Sequence, residues 1–182
     1  MNLEEKQISR KEIFKGNVLH VVCDTVTLPN GCEATREMCL HMGAVAIIPL
    51  LEDGCVLMER QYRYPHGRVF FEIPAGKLNS KDEDPLEAAK RELREETGAI
   101  AKRYTYLGET VPSPALINER IHMYLAEDIS FAERELDEDE FLEVERVPLD
   151  ELYRQVMTGE IKDAKTQVTV LKVWNLKNLS SR

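Results

Sequence analysis

The stretch GKLNSKDEDPLEAAKRELREETGA, from Gly76 to Ala99, contains the clearest helix signals of the chain. Its second half predicts a helix over residues 85–97, because Asp84 is a favoured N-cap residue and Pro85 suits the first helical position. Gly98 ends the segment, since the residue that follows a helix often adopts a positive φ and is then usually glycine. The stretch therefore predicts a loop that leads into one short helix with defined ends.

The acids on this helix are placed against local preference. Apolar and small side chains repeat at helical spacing and predict the face that packs on the core; they are Leu86, Ala89, Leu93 and Thr97. Glu92 and Glu96 border that face and Glu95 lies beside them, while Arg91 falls on the opposite, solvated side. Like charges four residues apart repel, and the helix dipole disfavours acids in the last turns by about 0.3–1 kcal/mol each.

Two interpretations of this acidic group are open on these grounds alone. The ordinary one is a charged amphipathic helix on the protein surface. The other is a site for a hard divalent cation such as Mg²⁺, which takes oxygen ligands and keeps several waters. Acids that break a local rule favour the second interpretation, because a function can offset their cost.

The flanking sequence predicts strands on both sides of the helix. Apolar or β-branched runs between turn residues indicate them at 18–27, 32–40, 44–51, 55–62, 69–73, 104–110, 121–126 and 142–147. Asn30-Gly31 predicts a hairpin turn between the first two. Further helices are predicted from Pro148 to about Gly159 and over 163–176. Strands and helices mix without a regular βαβ rhythm, which favours an α+β class arranged as an α/β/α sandwich with a mixed sheet.

Composition and charge limit the partners. The chain has 182 residues, enough for one domain with a small extra element, and its net charge is −9. It has no basic stripe, so nucleic acid is not an expected partner. No apolar run approaches the roughly 20 residues of a membrane helix, and no secretory signal is recognised at the charged N-terminus. We therefore expect no membrane partner and a cytoplasmic location.

The stretch quoted above resembles the Nudix box, whose family pattern is G-x5-E-x7-R-E-U-x-E-E-x-G-U, where U is bulky and apolar. Gly76, Glu83 and the run from Arg91 to Ala99 carry the match. This chain departs from the pattern in two places. Six residues instead of five separate Gly76 from Glu83, and Ala99 is smaller than the usual residue.

A wider similarity, over about residues 36–171, indicates the ADP-ribose pyrophosphatase branch of that family. The segments at 60–65, 71–77 and 137–141 carry it. The resemblance implies that residues 1–42 form a small N-terminal antiparallel β-sheet used in a homodimer, with domain swapping as one arrangement, and that residues 43–182 form the Nudix hydrolase domain. Ala115-Leu116 stands where the branch often has Gly-Phe. This loop lies near the substrate in the family, so the change affects the specificity for the sugar and the base.

The resemblance also implies a reaction. Water attacks one phosphorus of a nucleoside diphosphate sugar, with ADP-ribose the first candidate, and the products are AMP and ribose 5-phosphate. Mg²⁺, or Mn²⁺, bridges the phosphates and lowers the pKa of the attacking water.

The implied metal ligands are the Ala75 carbonyl oxygen, Glu92, Glu96 and Glu140. The implied catalytic residues are Glu138, which orients or deprotonates the water, Glu95, as a metal ligand or an acid close to the metal, and Arg91, which pairs with a nearby acid to hold the helix against its loop. The implied substrate contacts are Arg36 from a partner subunit, Arg60, Arg63 and Glu72.

Two alternatives to this function stay open. The first is the same chemistry on GDP-mannose, ADP-glucose or another nucleoside diphosphate derivative, because the box handles only the metal and the diphosphate. The second is a non-catalytic domain that senses a nucleotide sugar. Such domains typically lose box carboxylates, whereas Glu92, Glu95 and Glu96 are all present here.

Overall fold

The computed structural model describes residues 2–136 and 141–179, which form ten strands and three α-helices. The strands are β1 (Lys6–Lys15), β2 (His20–Thr27), β3 (Glu33–Cys39), β4 (Ala44–Pro49), β5 (Cys55–Arg63), β6 (Arg68–Glu72), β7 (Ala75–Lys77), β8 (Ala99–Thr110), β9 (Ile121–Phe131) and β10 (Leu142–Pro148). The helices are α1 (Pro85–Thr97), α2 (Leu149–Met157) and α3 (Ala164–Leu179). None of these helices is both long and apolar enough to cross a membrane.

The first three strands form an antiparallel sheet in the order β1-β2-β3. The predicted hairpin between β2 and β3 is confirmed, although of its two turn residues only Gly31 has a positive φ, of 86°. The sequence does not predict β1, because all ten of its residues are exposed and show no apolar alternation. Arg10 of β1 donates two hydrogen bonds of 2.7 Å to the buried carboxylate of Asp24 on β2.

A mixed sheet in the order β7-β4-β9-β8 forms the centre of the molecule. Strand β4 is buried along its whole length and pairs in parallel with β9. Its side chains alternate between the two faces of the sheet. Val45 and Ile47 pack in the apolar cluster of α1, whereas Ala46 and Ile48 pack in the cluster of α2 and α3. These two clusters confirm the predicted α/β/α sandwich with a mixed sheet.

The third sheet has the order β10-β5-β6 and is antiparallel. Its register places Glu59 of β5 opposite Glu72 of β6, and both side chains are buried. After β6 the chain passes through Ile73 and Pro74 directly into β7, so this segment joins the third sheet to the central one. The sequence does not predict β7, which is only three residues long and follows a proline.

Strands β8 and β9 are longer than predicted. Their pairing extends from Ala99 opposite Phe131 to Thr110 opposite Ile121. The backbone hydrogen bonds of the ladder stabilise the added ends of both strands, where apolar and charged side chains are mixed. The long hairpin brings Ala132, just after β9, next to the end of α1, where Ala132 N donates to Gly98 O at 2.8 Å.

Candidate active site

The two ends of α1 are set by the residues that the sequence singles out. Asp84 Oδ1 accepts a hydrogen bond from Leu86 N at 2.8 Å. At the other end Gly98 has a φ of 71°, and its N–H donates to Arg94 O at 2.8 Å. A Cβ atom on Gly98 would lie 2.5 Å from Ala132 O, so the close approach of the β9 end also requires glycine. These caps fix where α1 begins and ends, and the helix packs with one side against β7.

Glu92 and Glu96 lie on that side and are buried, with exposed fractions of 9% and 3%. Ala75 N donates a hydrogen bond to Glu96 Oε2 at 3.0 Å. A Cβ atom on Gly76 would lie 1.9 Å from Glu92 Cδ, so the missing side chain makes room for the Glu92 carboxylate. Helical periodicity places both acids only at the border of the core face, and they are buried because β7 covers them.

Arg91 belongs to the same acidic group, and the expectation that it faces solvent is wrong. Its Nη1 donates to Glu92 Oε1 at 2.7 Å and to Glu95 Oε2 at 3.1 Å, and its Nη2 donates to Lys77 O at 3.2 Å. Burial opposes the charge of Arg91, but the two glutamates outweigh this effect and raise its pKa above the ordinary value. The long side chain folds back along the helix and ties α1 to β7.

Glu83 reaches the same group despite the extra residue in the loop that precedes it. Its carboxylate accepts a hydrogen bond from Asn79 N, and its Oε1 lies 3.4 Å from Arg91 Nη2. Its side chain is mostly buried. The loop therefore accommodates the longer spacing after Gly76 without removing Glu83 from Arg91.

The chemistry of these side chains fits a hard divalent cation. Glu92, Glu95 and Glu96 supply carboxylate oxygens, and the cradle at Gly76 holds the first of them in place. In the part of the chain that the structure describes, no three His, Cys, Asp or Glu side chains are already arranged to hold a metal ion. Mg²⁺ does not require such a closed set, because it keeps several waters and is commonly bound by one or two carboxylates plus substrate phosphates.

Arg63 and Glu72 form an ion pair in which the acid is buried and the arginine is half-buried. Arg63 Nε donates to Glu72 Oε1 at 2.7 Å. Burial opposes the charge on Arg63, but Glu72 outweighs it, and the charges of Glu96 and Asp163 add to the effect, so the pKa of Arg63 is raised. Glu72 lies three residues before Ala75, whose N–H donates to Glu96, so the pair is adjacent in the chain to the acidic group.

The other two candidate arginines lie elsewhere. Arg60 on β5 forms an ion pair with Glu145 of β10, and its guanidinium lies 4.5 Å from the centre of the Phe71 ring. Arg36 on β3 donates from Nε to Glu5 at 2.9 Å, within the N-terminal sheet. The structure therefore does not bring Arg36 to the acidic group of its own subunit, and a role in a partner's site stays a prediction.

Glu138 and Glu140 lie outside the described residues, and their roles stay predictions. Leu136 and Phe141, on either side of that segment, line a cavity of about 530 Å³ together with Arg60 and Tyr62. A cavity of this size is within the usual range for small-molecule sites. The predicted acidic segment is thus adjacent in the chain to a surface that contains one of the candidate substrate contacts.

Sequence reasoning does not find Lys165, which reaches Glu72 from α3. Its ammonium group bonds to the Glu72 carboxylate and lies 3.0 Å from Asp163 Oδ2. Asp163 can be recognised from the sequence, because aspartate is a favoured N-cap residue and it stands at the start of the predicted helix. In the structure it accepts a hydrogen bond from Thr166 N. A lysine in the first turn of a helix carries no such signal, and its partner is 93 residues away in sequence.

Comparison with known proteins agrees with this geometry. The NUDIX domain family matches residues 40–168. The chain therefore belongs to the Nudix family and is a Nudix pyrophosphohydrolase. Members of this family generally use divalent metal ions.

Individual relatives confirm the resemblance to the ADP-ribose pyrophosphatase branch. The ADP-ribose pyrophosphatase of Bacillus subtilis (strain 168) is 44% identical over 171 residues, which cover 93% of this chain and 92% of that protein. The methanol dehydrogenase activator of Bacillus methanolicus is 41% identical over 169 residues, or 92% and 91% of the two chains. A crystal structure described as an ADP compounds hydrolase superposes with a TM-score of 0.86 over 100% of this chain and 99% of the other. At 21% identity, that last likeness shows the shared fold.

Proposed function

We propose that this protein hydrolyses the diphosphate of ADP-ribose to AMP and ribose 5-phosphate. The observation that carries the proposal is the buried pair Glu92 and Glu96, held against Ala75 and the bare Cα of Gly76. The choice of substrate is supported by the 44% identity to a protein named ADP-ribose pyrophosphatase.

In this proposal a divalent cation, Mg²⁺ or Mn²⁺, is held by Glu92, Glu96, Glu140 and the Ala75 carbonyl oxygen, with Glu95 as a ligand or close neighbour. When bound, the cation supplies charge stabilisation at the phosphate oxygens and an attacking water of lowered pKa. The near-complete burial of Glu96 and its hydrogen bond from Ala75 N support this assignment, because they keep a potential ligand in one position.

The remaining residues move the proton and stabilise charge. Glu138 accepts a proton from the attacking water while the water oxygen bonds to phosphorus. The bond from that phosphorus to the bridging oxygen breaks, and the electron pair leaves with the departing phosphate. Arg63 offsets the growing charge on the phosphate oxygens, and Arg60 contacts the substrate from the cavity beside Tyr62. Arg91 ties the box loop to α1 through Lys77 O and Glu83, so we assign it a positioning role.

Glu72 takes part in substrate binding through Arg63 in this proposal. Each of its two carboxylate oxygens already accepts a hydrogen bond from a protein cation, one from Arg63 and one from Lys165. The cavity beside Tyr62 and Phe141 is our candidate for the nucleoside or the sugar, because both rings are exposed there.

We further propose a homodimer in which residues 1–42 form the dimerisation element, with domain swapping as one arrangement, and residues 43–182 form the hydrolase domain. Large apolar side chains exposed on the N-terminal element support this proposal; they are Ile8, Ile13, Phe14, Val18 and Leu19. Arg36 lies in the same element and would act in the site of the partner subunit. The cytoplasmic location expected from the sequence stays a prediction.

The experiment is to incubate the purified protein with ADP-ribose and Mg²⁺ and to quantify AMP. We expect EDTA or Glu96→Gln to abolish the release of AMP. Glu87→Gln is the matched control, because Glu87 is an exposed acid of the same helix that pairs with Lys90, and it should retain activity.

The alternatives predict different outcomes. Turnover of GDP-mannose or ADP-glucose without turnover of ADP-ribose would change the substrate and keep the chemistry. Binding of nucleotide sugars without turnover of any diphosphate, in Mg²⁺ or Mn²⁺, would contradict the proposal and favour the sensor.

A second candidate function, activation of a methanol dehydrogenase, is favoured by the 41% identity to a methanol dehydrogenase activator. It is tested by adding this protein to a methanol dehydrogenase and measuring the rate of methanol oxidation. Glu96→Gln decides whether such activation depends on the hydrolytic site. No change in rate on addition of the wild-type protein would exclude this second function for that dehydrogenase.

A further inference from the structure

The carboxylate of Glu72 lies between two cations that come from different parts of the fold. Its Oε1 accepts from Arg63 Nε at 2.7 Å, and its Oε2 accepts from Lys165 Nζ. The Glu72 side chain is only 3% exposed. Because both oxygens have a protein donor, the plane of the carboxylate is held by Arg63 on one side and by α3 on the other.

Lys165 is itself held in place. Its side chain is 12% exposed, and its ammonium group lies 3.0 Å from Asp163 Oδ2. The same Asp163 oxygen accepts from Thr166 N at 3.0 Å and from Thr166 Oγ1 at 2.6 Å, which caps the first turn of α3. The cap therefore orients Lys165 towards Glu72.

The first turn of α3 is also joined to the chain segment that leads into the acidic group. Thr166 Oγ1 accepts a hydrogen bond from Ile73 N at 3.0 Å. Two residues further on, Ala75 N donates to Glu96 Oε2 at 3.0 Å. The segment from Glu72 to Ala75 is thus fixed at one end by α3 and at the other by α1.

Lys165 supplies a positive charge beside two buried acids of the third sheet. Glu59 and Glu72 are opposite each other in the β5–β6 register, and both are buried. Buried carboxylates need counter-charges and hydrogen-bond donors to stay ionised and ordered. Loss of the Lys165 ammonium would leave Glu72 Oε2 without this donor. The carboxylate would then rotate towards another donor, and the Arg63 guanidinium bonded to it would move with it.

We propose that Lys165 is a positioning residue for the diphosphate site: through Glu72 it sets the orientation of the Arg63 guanidinium. This inference rests on the proposed function, in which Arg63 contacts a substrate phosphate. It assigns a role in the site to α3, a helix outside the Nudix box. The Asp163–Thr166 cap then helps to hold Lys165, and through it Glu72 and Arg63, in place.

The test compares four variants with the wild type in steady-state hydrolysis of ADP-ribose: Lys165→Met, Lys165→Arg, Glu72→Gln and the double variant Lys165→Met/Glu72→Gln. Lys172→Met is the matched control, because Lys172 is an exposed lysine on the same helix whose Nζ bonds to Leu107 O at 2.6 Å. Thermal unfolding of each protein shows whether it is folded under the assay conditions.

We expect Lys165→Met to raise the KM and to lower kcat/KM by about 10–100-fold, the usual effect of removing a residue that orients a functional group. Lys165→Arg should recover most of this loss, because it keeps a cationic donor. The double variant should be no worse than the poorer single variant, since residues that act through one contact are not additive. A kcat/KM of Lys165→Met within about twofold of the control would overturn the proposal, as would full additivity in the double variant.

A readout that needs no turnover separates this inference from the proposed function. The Nε–H resonance of Arg63, assigned by its loss in Arg63→Lys, reports the hydrogen bond to Glu72. It should lose its protection from exchange in Lys165→Met and keep it in Lys172→Met. An unchanged resonance would overturn the positioning role even if the wild type hydrolyses ADP-ribose. A changed resonance in a protein without diphosphatase activity would retain Lys165 as the residue that orients Arg63 and contradict only the proposed function.

Discussion

A Cβ atom placed on Gly76 would lie 1.9 Å from Cδ of Glu92. The Glu92 carboxylate therefore occupies the space that any side chain at position 76 would need. Because it is the end of a flexible side chain, Glu92 can rotate into another staggered conformation at low cost to the fold. Such a rotation would nevertheless take a candidate metal ligand out of the site. A side chain at position 76 should therefore reduce activity much more than it reduces stability.

Gly76→Ala should therefore reduce diphosphate hydrolysis strongly and leave the protein folded. Misplacement by about 1 Å in an active site costs on the order of 100-fold in rate. We expect a loss of kcat/KM of that size with a change in Tm of only a few degrees. Gly159→Ala adds the same methyl group where no atom lies within 4 Å, and it should keep the wild-type kcat/KM. Equal kcat/KM in the two variants would show that Glu92 does not need its present position.

A comparison of Gly98→Ala with Gly159→Ala should isolate the contact between α1 and the end of β9. The two glycines have similar φ values, 71° and 74°. Each substitution carries the strain of a left-handed residue, about 1–2 kcal/mol. Gly98→Ala also places a Cβ atom 2.5 Å from Ala132 O, and overpacking of this kind costs a further ~1–3 kcal/mol. Urea unfolding should show the larger loss for Gly98→Ala, and equal losses would mean that the hairpin end moves away freely.

Helix α1 could be predicted to the residue because its signals are local. Asp84, Pro85 and Gly98 define its ends, and the structure places it at 85–97. The central strands could also be predicted, because a buried strand such as β4 is an uninterrupted apolar run. The acidic group on α1 could be recognised because its residues conflict with the local preferences of a helix.

The rest of the architecture depends on contacts between distant residues. Strand β1 is held by backbone pairing and by Arg10, and its exposed side chains give no periodic pattern. The burial of Glu92 and Glu96 follows from β7, a strand too short to detect. Lys165 meets Glu72 only because the first turn of α3 contacts the chain just after β6, and no local rule connects the two.

Protection of β1 against hydrogen exchange should fall on acidification. The hydrogen bond from Arg10 outweighs burial and lowers the pKa of Asp24 below its ordinary value of 3.8. The pair therefore stabilises β1 fully above this ordinary value, and the stabilisation is lost as the pH falls through the lower, folded-state pKa. Exchange rates of residues 6–15, corrected for intrinsic pH dependence and referred to β4, measure the effect.

Asp24→Asn should show weak protection of β1 already at neutral pH, without the acid-dependent loss. Glu12→Gln is the control, because Glu12 pairs with His20 across the same two strands and is exposed. It should follow the wild-type profile. Wild-type protection of β1 in Asp24→Asn would show that backbone pairing alone holds the strand.

The exposed apolar side chains of β1 should control the oligomeric state. Light scattering is expected to give about twice the chain mass of 20.9 kDa for the wild type and the single chain mass for Ile8→Glu/Ile13→Glu. The charged side chains would have to be buried in the dimer, which is costly. Met157→Glu changes an equally exposed apolar residue at the end of α2 and should leave the dimer intact. A monomeric wild type, or a dimer in the β1 variant, would exclude this interface.

A mixing experiment should decide whether Arg36 acts in the site of the partner subunit. In this arrangement one site combines Glu96 of one chain with Arg36 of the other, so Glu96→Gln and Arg36→Ala dimers should each lose activity. Subunit exchange between them creates mixed dimers in which one site has both residues intact. An equal mixture should therefore recover about one quarter of the wild-type rate, because half of the dimers are mixed and half of their sites are intact. If Arg36 served its own subunit, or only the Glu5 ion pair seen in the N-terminal sheet, mixing would give no recovery above the sum of the separate rates.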